Sequence, residues 1–234
     1  MLGDALSYPR NSSDWIPTIL IGGVLSVLFV FIIPIFIIQG YMVRVLRGAA
    51  KGETAAPSFT NWGELIVDGL KLVIINFVYS LIVLIPMITL SIVLGIGNSL
   101  SAGAPGPEPG VTVGAAPALG IVGFLGILVI GLFSIVVSYF IPAAQANFAI
   151  EGSLGAAFDI STIVSGAMTS EYFVAWLLVL VVGTILSFIG GLLFIVIVGF
   201  FILFYTQVVT YYLFGRGFAD GLGKKRRDVA EPDY

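Results

Sequence analysis

The sequence predicts an all-α membrane protein: about five transmembrane helices, two cytoplasmic amphipathic helices lying in the membrane plane, and an internal repeat. Three observations carry this. Of the 234 residues, 59% are hydrophobic and 10% charged, against about 25% charged in soluble domains. Mean hydropathy is +1.11, and several apolar runs reach the roughly 20 residues that a helix needs to cross hydrocarbon. Lys and Arg are confined to a few polar stretches, so an orientation can be counted. No polar stretch is long enough for a soluble domain, and the chain reads as a single polytopic membrane domain over 1–234. Cys and His are absent. That removes disulfides, thiolate nucleophiles, Cys/His metal or haem ligation and imidazole acid–base chemistry.

Residues 1–14 form a polar head. It has no basic run, the apolar stretch after it is too long for a signal-peptide core, and no A-x-A-like site follows. The stretch is therefore read as an uncleaved first span. Asn11-Ser12-Ser13 is a glycosylation sequon, relevant only if this end is outside. Span 1 covers 15–39, with Trp15 and Tyr41 as interface aromatics. Pro17 falls in the first turn, and Pro34 predicts a kink.

Residues 40–71 are hydrophilic and hold Arg44, Arg47, Lys51 and Lys71. After Pro57, Phe59, Trp62, Leu65, Ile66 and Leu70 share one helical face, opposite Thr60, Asn61, Glu64, Asp68 and Lys71. This predicts a short amphipathic helix in the interface plane, running into span 2. Asn61 with Glu64 three residues on resembles a capping box. Asp68 and Lys71 form an i,i+3 charge pair at the mouth of the span.

Span 2 covers 70–97 and contains Asn76 and Pro86. Residues 98–117 are rich in Gly, Pro, Ala and Ser with one charge, Glu108, and read as a flexible loop. Span 3 covers 118–141, where Gly120, Gly123, Gly126 and Gly131 offer surfaces for close packing. Over 142–171, Ile150, Leu154, Ala157, Phe158, Val164 and Met168 lie opposite Glu151, Asp159, Thr162 and Ser165, a second amphipathic helix. Residues 172–214 carry no charge. As one helix they would be about 65 Å long, twice the hydrocarbon thickness, so the run must fold back. Gly190-Gly191 is the strong breaker near its middle and divides span 4 (172–189) from span 5 (192–214). The tail, 215–234, reads as flexible, with the basic cluster Lys224, Lys225, Arg226 and Arg227.

With five spans, the basic loop after span 1 and the basic tail share a side, which the positive-inside rule makes cytoplasmic. The head, with Arg10, and the Glu108 loop then lie outside. The chain becomes two copies of span, amphipathic helix, span, with a fifth span appended; Ile33-Pro34 and Ile141-Pro142 occupy similar places. A second alignment sets LGDAL in the head beside LGAAF near residue 155. It puts the head inside and requires span 1 to re-enter the membrane or form a hairpin.

The central portions of the spans hold no charged residue, unlike most proton relays and ion-coupled pumps. Paired carboxylates, a Gly-Lys-Ser/Thr phosphate loop, a GxSxG elbow and an HExxH pair are missing. No enzyme activity, cofactor or nucleic acid is expected. Ser134 and Ser138 are expected to bond to carbonyls of their own helix. Gln39, Asn76, Gln145, Asn147 and Gln207 fall on the cytoplasmic half and are candidates for a polar vestibule. The simpler reading is that they sit at the interface because burial in hydrocarbon is costly. Arg44, Arg47, Lys51, Lys224, Lys225, Arg226 and Arg227 either contact anionic headgroups, at about 1 kcal/mol each, or only set orientation.

The expected role is a non-enzymatic membrane scaffold or a partner- or lipid-binding subunit. Its partners would be membrane lipids, another membrane protein or a second copy. The alternative is a transporter or channel for a small or lipid-like solute with a cytoplasm-facing cavity. A pI of about 4.8 with few lysines points to a salt-loving source.

Asp4–Pro9 (DALSYP) followed by Asp14-Trp15, the run from Ile21 to Gly48, and the pattern GE...P.F..W..L..DGLK over Gly52–Lys71 resemble a known family. It is a group of multi-pass membrane proteins abundant in haloarchaea and known only as a domain of unknown function, number 4013. The resemblance is best over residues 4–75. It implies an integral membrane protein and a halophilic source, and it carries no activity and no site residues.

Overall fold

The apolar runs fold as helices, and no strand occurs among the described residues. The structure, a computed structural model, describes residues 1–103 and 115–230. In order these are α1 (Leu2–Ser7), α2 (Trp15–Val27), α3 (Ile32–Lys51), α4 (Trp62–Gly103), α5 (Ala115–Glu151), α6 (Ile160–Ala167), α7 (Ser170–Leu178), α8 (Thr184–Leu192) and α9 (Val198–Ala230). A π-helical turn over Val179–Gly183 joins α7 to α8, so the two run on as one element. Among the described residues, 5 stretches are long and apolar enough to cross a membrane: Ile32–Lys51, Trp62–Leu94, Gly123–Glu151, Ser170–Leu192 and Val198–Gly223. The predicted all-α membrane fold is present.

The ends of the elements differ from the predicted ones. Span 1 is not one helix from 15 to 39. A 3-10 turn over Leu28–Val30 and an extended Phe31 break it, and α3 starts afresh at Ile32. Pro34 explains the break. Inside a continuous helix its ring would clash with the carbonyl of residue 30; in the first turn of a new helix its missing N–H costs little. The second fold-back comes at Leu193–Ile197, a 3-10 turn closed by Ile197 at φ 62, not at Gly190-Gly191. Gly190 instead packs on the start of α9: a Cβ on it would strike Leu203, and a Cβ on Gly199 would strike the Gly190 carbonyl. The amphipathic stretch after Pro57 is the opening of α4 itself. The one predicted over 142–171 is divided among the end of α5, a 3-10 turn (Leu154–Phe158), α6 and the first residues of α7. The tail expected to be flexible is helical to Ala230. The loop around Glu108 falls partly outside the described residues.

Contacts divide the chain into two compact units, Met1–Ile75 with Phe140–Tyr234, and Asn76–Tyr139. In the smaller unit, Gly123 and Gly126 take the side chains of Leu94 and Leu90. Ser134 and Ser138 donate to the carbonyls of Ile130 and Ile135, at 2.7 and 2.8 Å, as expected.

In the larger unit α9 is central. α3 makes its most extensive described contact with α9, and α2, α7 and α8 also pack on it. Tyr41, Met42, Leu46, Leu65, Phe148, Ile163, Tyr172, Phe204, Leu213 and Phe218 are buried in this core. Glycines set how closely the helices approach. A Cβ on Gly40 would strike the Leu65 carbonyl, and one on Gly69 the Phe36 carbonyl, so α3 and α4 touch backbone to backbone. Gly22 and Gly23 of α2 lie under Phe204 and Phe201 of α9.

The repeat is also placed differently. Gly22-Gly23 and Gly190-Gly191 each precede an apolar turn and a returning helix that carries Gln39 or Gln207 at the same spacing. This pairs the α2–α3 hairpin with the α8–α9 hairpin. The alignment of LGDAL with LGAAF keeps the same order of segments but needs an insertion before the second glycine pair to reach this register.

Candidate functional site

The polar segments of the larger unit gather into one cap. The Ala56 N–H donates to the Tyr8 carbonyl at 3.1 Å, the Asn11 amide to the Thr54 carbonyl at 2.8 Å, and the Ser58 hydroxyl to Asp14 at 3.0 Å. Tyr8 packs on Tyr212 of α9 in a tilted pair with ring centroids 4.3 Å apart, and the Tyr205 hydroxyl donates to the Leu6 carbonyl. The head, the 52–61 loop and α9 are therefore in direct contact. The sequon asparagine is bonded into this contact.

Arg44 clamps the start of α4. Its guanidinium donates to the carbonyls of Thr60 at 2.7 Å and Asn61 at 3.3 Å, and pairs with Glu64 at 3.1 Å. Asn61 sits at φ 50, a left-handed conformation that asparagine tolerates better than most residues. Arg47 reaches two other helices. Its Nε donates to the Ala149 carbonyl at 3.0 Å, in the last turn of α5, where carbonyls lack helical partners. Its Nη2 lies 3.4 Å from Asp68. Lys71 lies 3.8 Å from the other Asp68 oxygen, so the predicted Asp68–Lys71 pair is a triad with Arg47. Arg44 and Arg47 are thus engaged within the protein. Lys51 is exposed. The side chains of Lys224, Lys225, Arg226 and Arg227 lie outside the described set.

The four vestibule candidates of the larger unit do not line one cavity. Gln207 faces outward, and Asn76 belongs to the smaller unit. Gln145 is buried. Asn147 is buried too, and its amide donates to the Ala156 carbonyl at 2.8 Å. The Oε1 of Gln39 and the Oδ1 of Asn147 are shut in without a hydrogen-bond partner, an arrangement that costs stability. The cap holds a cavity of about 230 Å³ lined by Arg47, Lys51, Glu151 and Thr162 among others. A second, about 420 Å³, is bordered by Asn147, Glu151 and Asp159. Gln39, Gln145 and Gln207 line neither.

α6 is fixed at its start by Asp159, whose carboxylate accepts from the Thr162 hydroxyl at 2.6 Å and the Thr162 N–H at 3.3 Å. These bonds hold the Asp159 pKa below its ordinary value. Ile163, Gly166 and Ala167 pack inward, Gly166 against Phe218. Ile160, Val164 and Met168 point out, Met168 being 69% exposed. The sequence pattern placed Val164 and Met168 on an apolar face, and packing leaves that face uncovered. Reasoning from sequence missed the clamping roles of Arg44 and Arg47. Their carbonyl partners have no side-chain signature; only the basic residues' position one and two turns before the end of α3 hinted at them.

Fold and cap define an all-α, multi-pass membrane protein. Over residues 24–195 the chain matches the family described as "Protein of unknown function (DUF4013)", and it belongs to that family. No curated protein and no solved structure matches it.

Proposed function

We propose that the protein is a non-enzymatic membrane scaffold, a subunit that binds a membrane partner through its cap. The supporting observation is α6, held on one side by the core and presenting Ile160, Val164 and Met168 on the other. An apolar stripe on a fixed helix suits an apolar surface in or beside the bilayer interface. A photo-crosslinker at Val164, activated in native membranes, should give a stoichiometric adduct with one protein, and Met168→Asp should abolish it. Adducts with lipid alone would reduce the surface to lipid binding, and no adduct at all would remove the reading. The transport alternative draws on the 230 Å³ cavity, whose Arg47, Lys51 and Glu151 suit a small polar solute. Solute uptake by proteoliposomes that Lys51→Glu abolishes would favour it.

The C-terminal end is assigned to the cytoplasm by its basic cluster, and the head, which packs on α9, goes with it. A haloarchaeal source is proposed from the acidic composition and the family resemblance. It requires an unfolding midpoint that rises in molar KCl, and equal stability at low salt would count against it.

A further inference from the structure

We propose that the two hairpins, α2–α3 and α8–α9, enter only the leaflet beneath the cap and return, their tips ending among acyl chains near the bilayer mid-plane. This goes beyond the scaffold reading and does not depend on it.

The tips are the first reason. From Val27 to Ile35, and again from Leu192 to Phe204, no polar side chain occurs. Val30 is 77% exposed and Ile195 91% exposed. A turn that emerged among the far headgroups would be expected to carry polar or interface residues there; these carry Phe31 and Ile32, and Phe194 and Val196. The turns also bond internally, as hydrocarbon requires of backbone groups. The Phe31 N–H donates to the Leu28 carbonyl at 2.9 Å. The N–H groups of Val196, Ile197, Gly199 and Phe200 donate to carbonyls of Leu193, Phe194, Leu193 and Ile197 at 3.0–3.2 Å.

Depth is the second reason. The Tyr41 hydroxyl bonds the Pro57 carbonyl of the polar loop at 2.9 Å, and from Ile32 to Tyr41 α3 rises about 14 Å at 1.5 Å per residue. The Tyr205 hydroxyl bonds the Leu6 carbonyl of the head, and from Val198 to Tyr205 α9 rises about 11 Å. The hydrocarbon of one leaflet is about 15 Å, half of the bilayer's 30 Å. Both hairpins therefore project by about one leaflet beyond the level at which the cap begins. The rest of α3 and α9 lies inside the cap core, where Val43, Leu46, Leu213 and Phe218 are buried, so the full length of these helices overstates their reach.

Charge is the third reason. All 10 Lys and Arg residues lie in the larger unit's segments, Met1–Ile75 and Phe140–Tyr234, as expected if those segments meet one cytoplasmic surface. Trp15 and Trp62, each about two-fifths exposed, begin α2 and α4 as interface anchors. Of the 5 stretches long enough to cross, Trp62–Leu94 and Gly123–Glu151 are then the crossing helices, while Ile32–Lys51, Ser170–Leu192 and Val198–Gly223 each run partly inside the cap core, where Leu46, Tyr172 and Leu213 are buried.

The absence of cysteine makes the test direct. Single variants Ser13→Cys, Lys51→Cys, Ser161→Cys, Val30→Cys and Ile195→Cys are exposed to a membrane-impermeant maleimide in inside-out and right-side-out vesicles. Positions 13, 51 and 161 should label in inside-out vesicles only. Positions 30 and 195 should label from neither side, yet label fully once the membrane is dissolved in SDS. Nitroxides at 30 and 195 should report depths near the mid-plane, with relaxation by oxygen exceeding that by a water-soluble nickel complex. Labelling of 30 or 195 in right-side-out vesicles, a depth at the far headgroups, or labelling of 13 and 51 from opposite sides would overturn the proposal.

Discussion

Arg47 joins three helices through one guanidinium, to the Ala149 carbonyl at the end of α5 and to Asp68 on α4. The Asp68 side chain is only 10% exposed and Arg47 28%, so neither charge is fully screened. Removing the cation leaves Asp68 with Lys71 at 3.8 Å and leaves a helix-end carbonyl uncapped. Arg47→Ala should therefore lower the unfolding free energy by about 2–3 kcal/mol, less than the loss of a fully buried pair because the site is partly solvated. Arg47→Lys keeps the charge but not the fork that reaches two acceptors, and should recover only part of the loss. Denaturant titration in mixed micelles reads both. An Arg47→Ala variant as stable as the parent would show that the triad follows the fold rather than supporting it. The sequence showed Asp68 and Lys71 as a pair because their spacing is local. Arg47 was hidden because its partners come from chain segments far away, one of them a backbone oxygen.

At the scale of elements, Gly40 and Gly69 decide how α3 meets α4. Each would drive a methyl into the other helix's backbone, which cannot move aside as a side-chain tip can. Gly40→Ala and Gly69→Ala should each cost about 2–3 kcal/mol through overpacking. Gly131→Ala, with nothing within 4 Å, should be neutral or slightly stabilising from helix propensity. If all three variants behave alike, close approach is not what the glycines provide. Glycine composition alone did not sort these positions. The run in span 3 reads as a packing surface, and Gly123 and Gly126 are one, but a Cβ on Gly120 or Gly131 would meet nothing within 4 Å. The helix breaks show the same limit. Pro34 was visible, yet a proline in an apolar run can kink a helix or begin one. The contact of head with loop, not the local sequence, selects the second. Gly190-Gly191 announced a fold-back correctly and missed its place by a few residues, because those glycines pack while Leu193–Ile197 turns.

Across the whole molecule, the cations whose side chains are described divide by what they already bind. Counting cations along the chain assigns a basic side, and the side given to Arg10 depends on whether the first apolar stretch crosses. Counting also gives Arg44, Arg47, Lys51 and the tail cluster equal standing as headgroup ligands. The cap separates them: Arg44 spends its donors on the start of α4, Arg47 on α5 and Asp68, and Arg216 on Asp220 at 3.0 Å, whereas Lys51 is exposed. Anionic lipid affinity should therefore follow the tail cluster, where each basic residue near the surface is worth about 1 kcal/mol before screening. Replacing Lys224, Lys225, Arg226 and Arg227 together by Gln should weaken retention of anionic lipid by about tenfold or more, read by native mass spectrometry after release from mixed bilayers, with little change in unfolding midpoint. Arg44→Gln should do the reverse, lowering the midpoint while lipid retention holds. Molar salt should erase the first effect and leave the second, because exposed charges are screened over a few ångströms and a clamped guanidinium is not. Equal loss of lipid from both variants would mean that the cap opens at the membrane surface and that its internal bonds do not hold there.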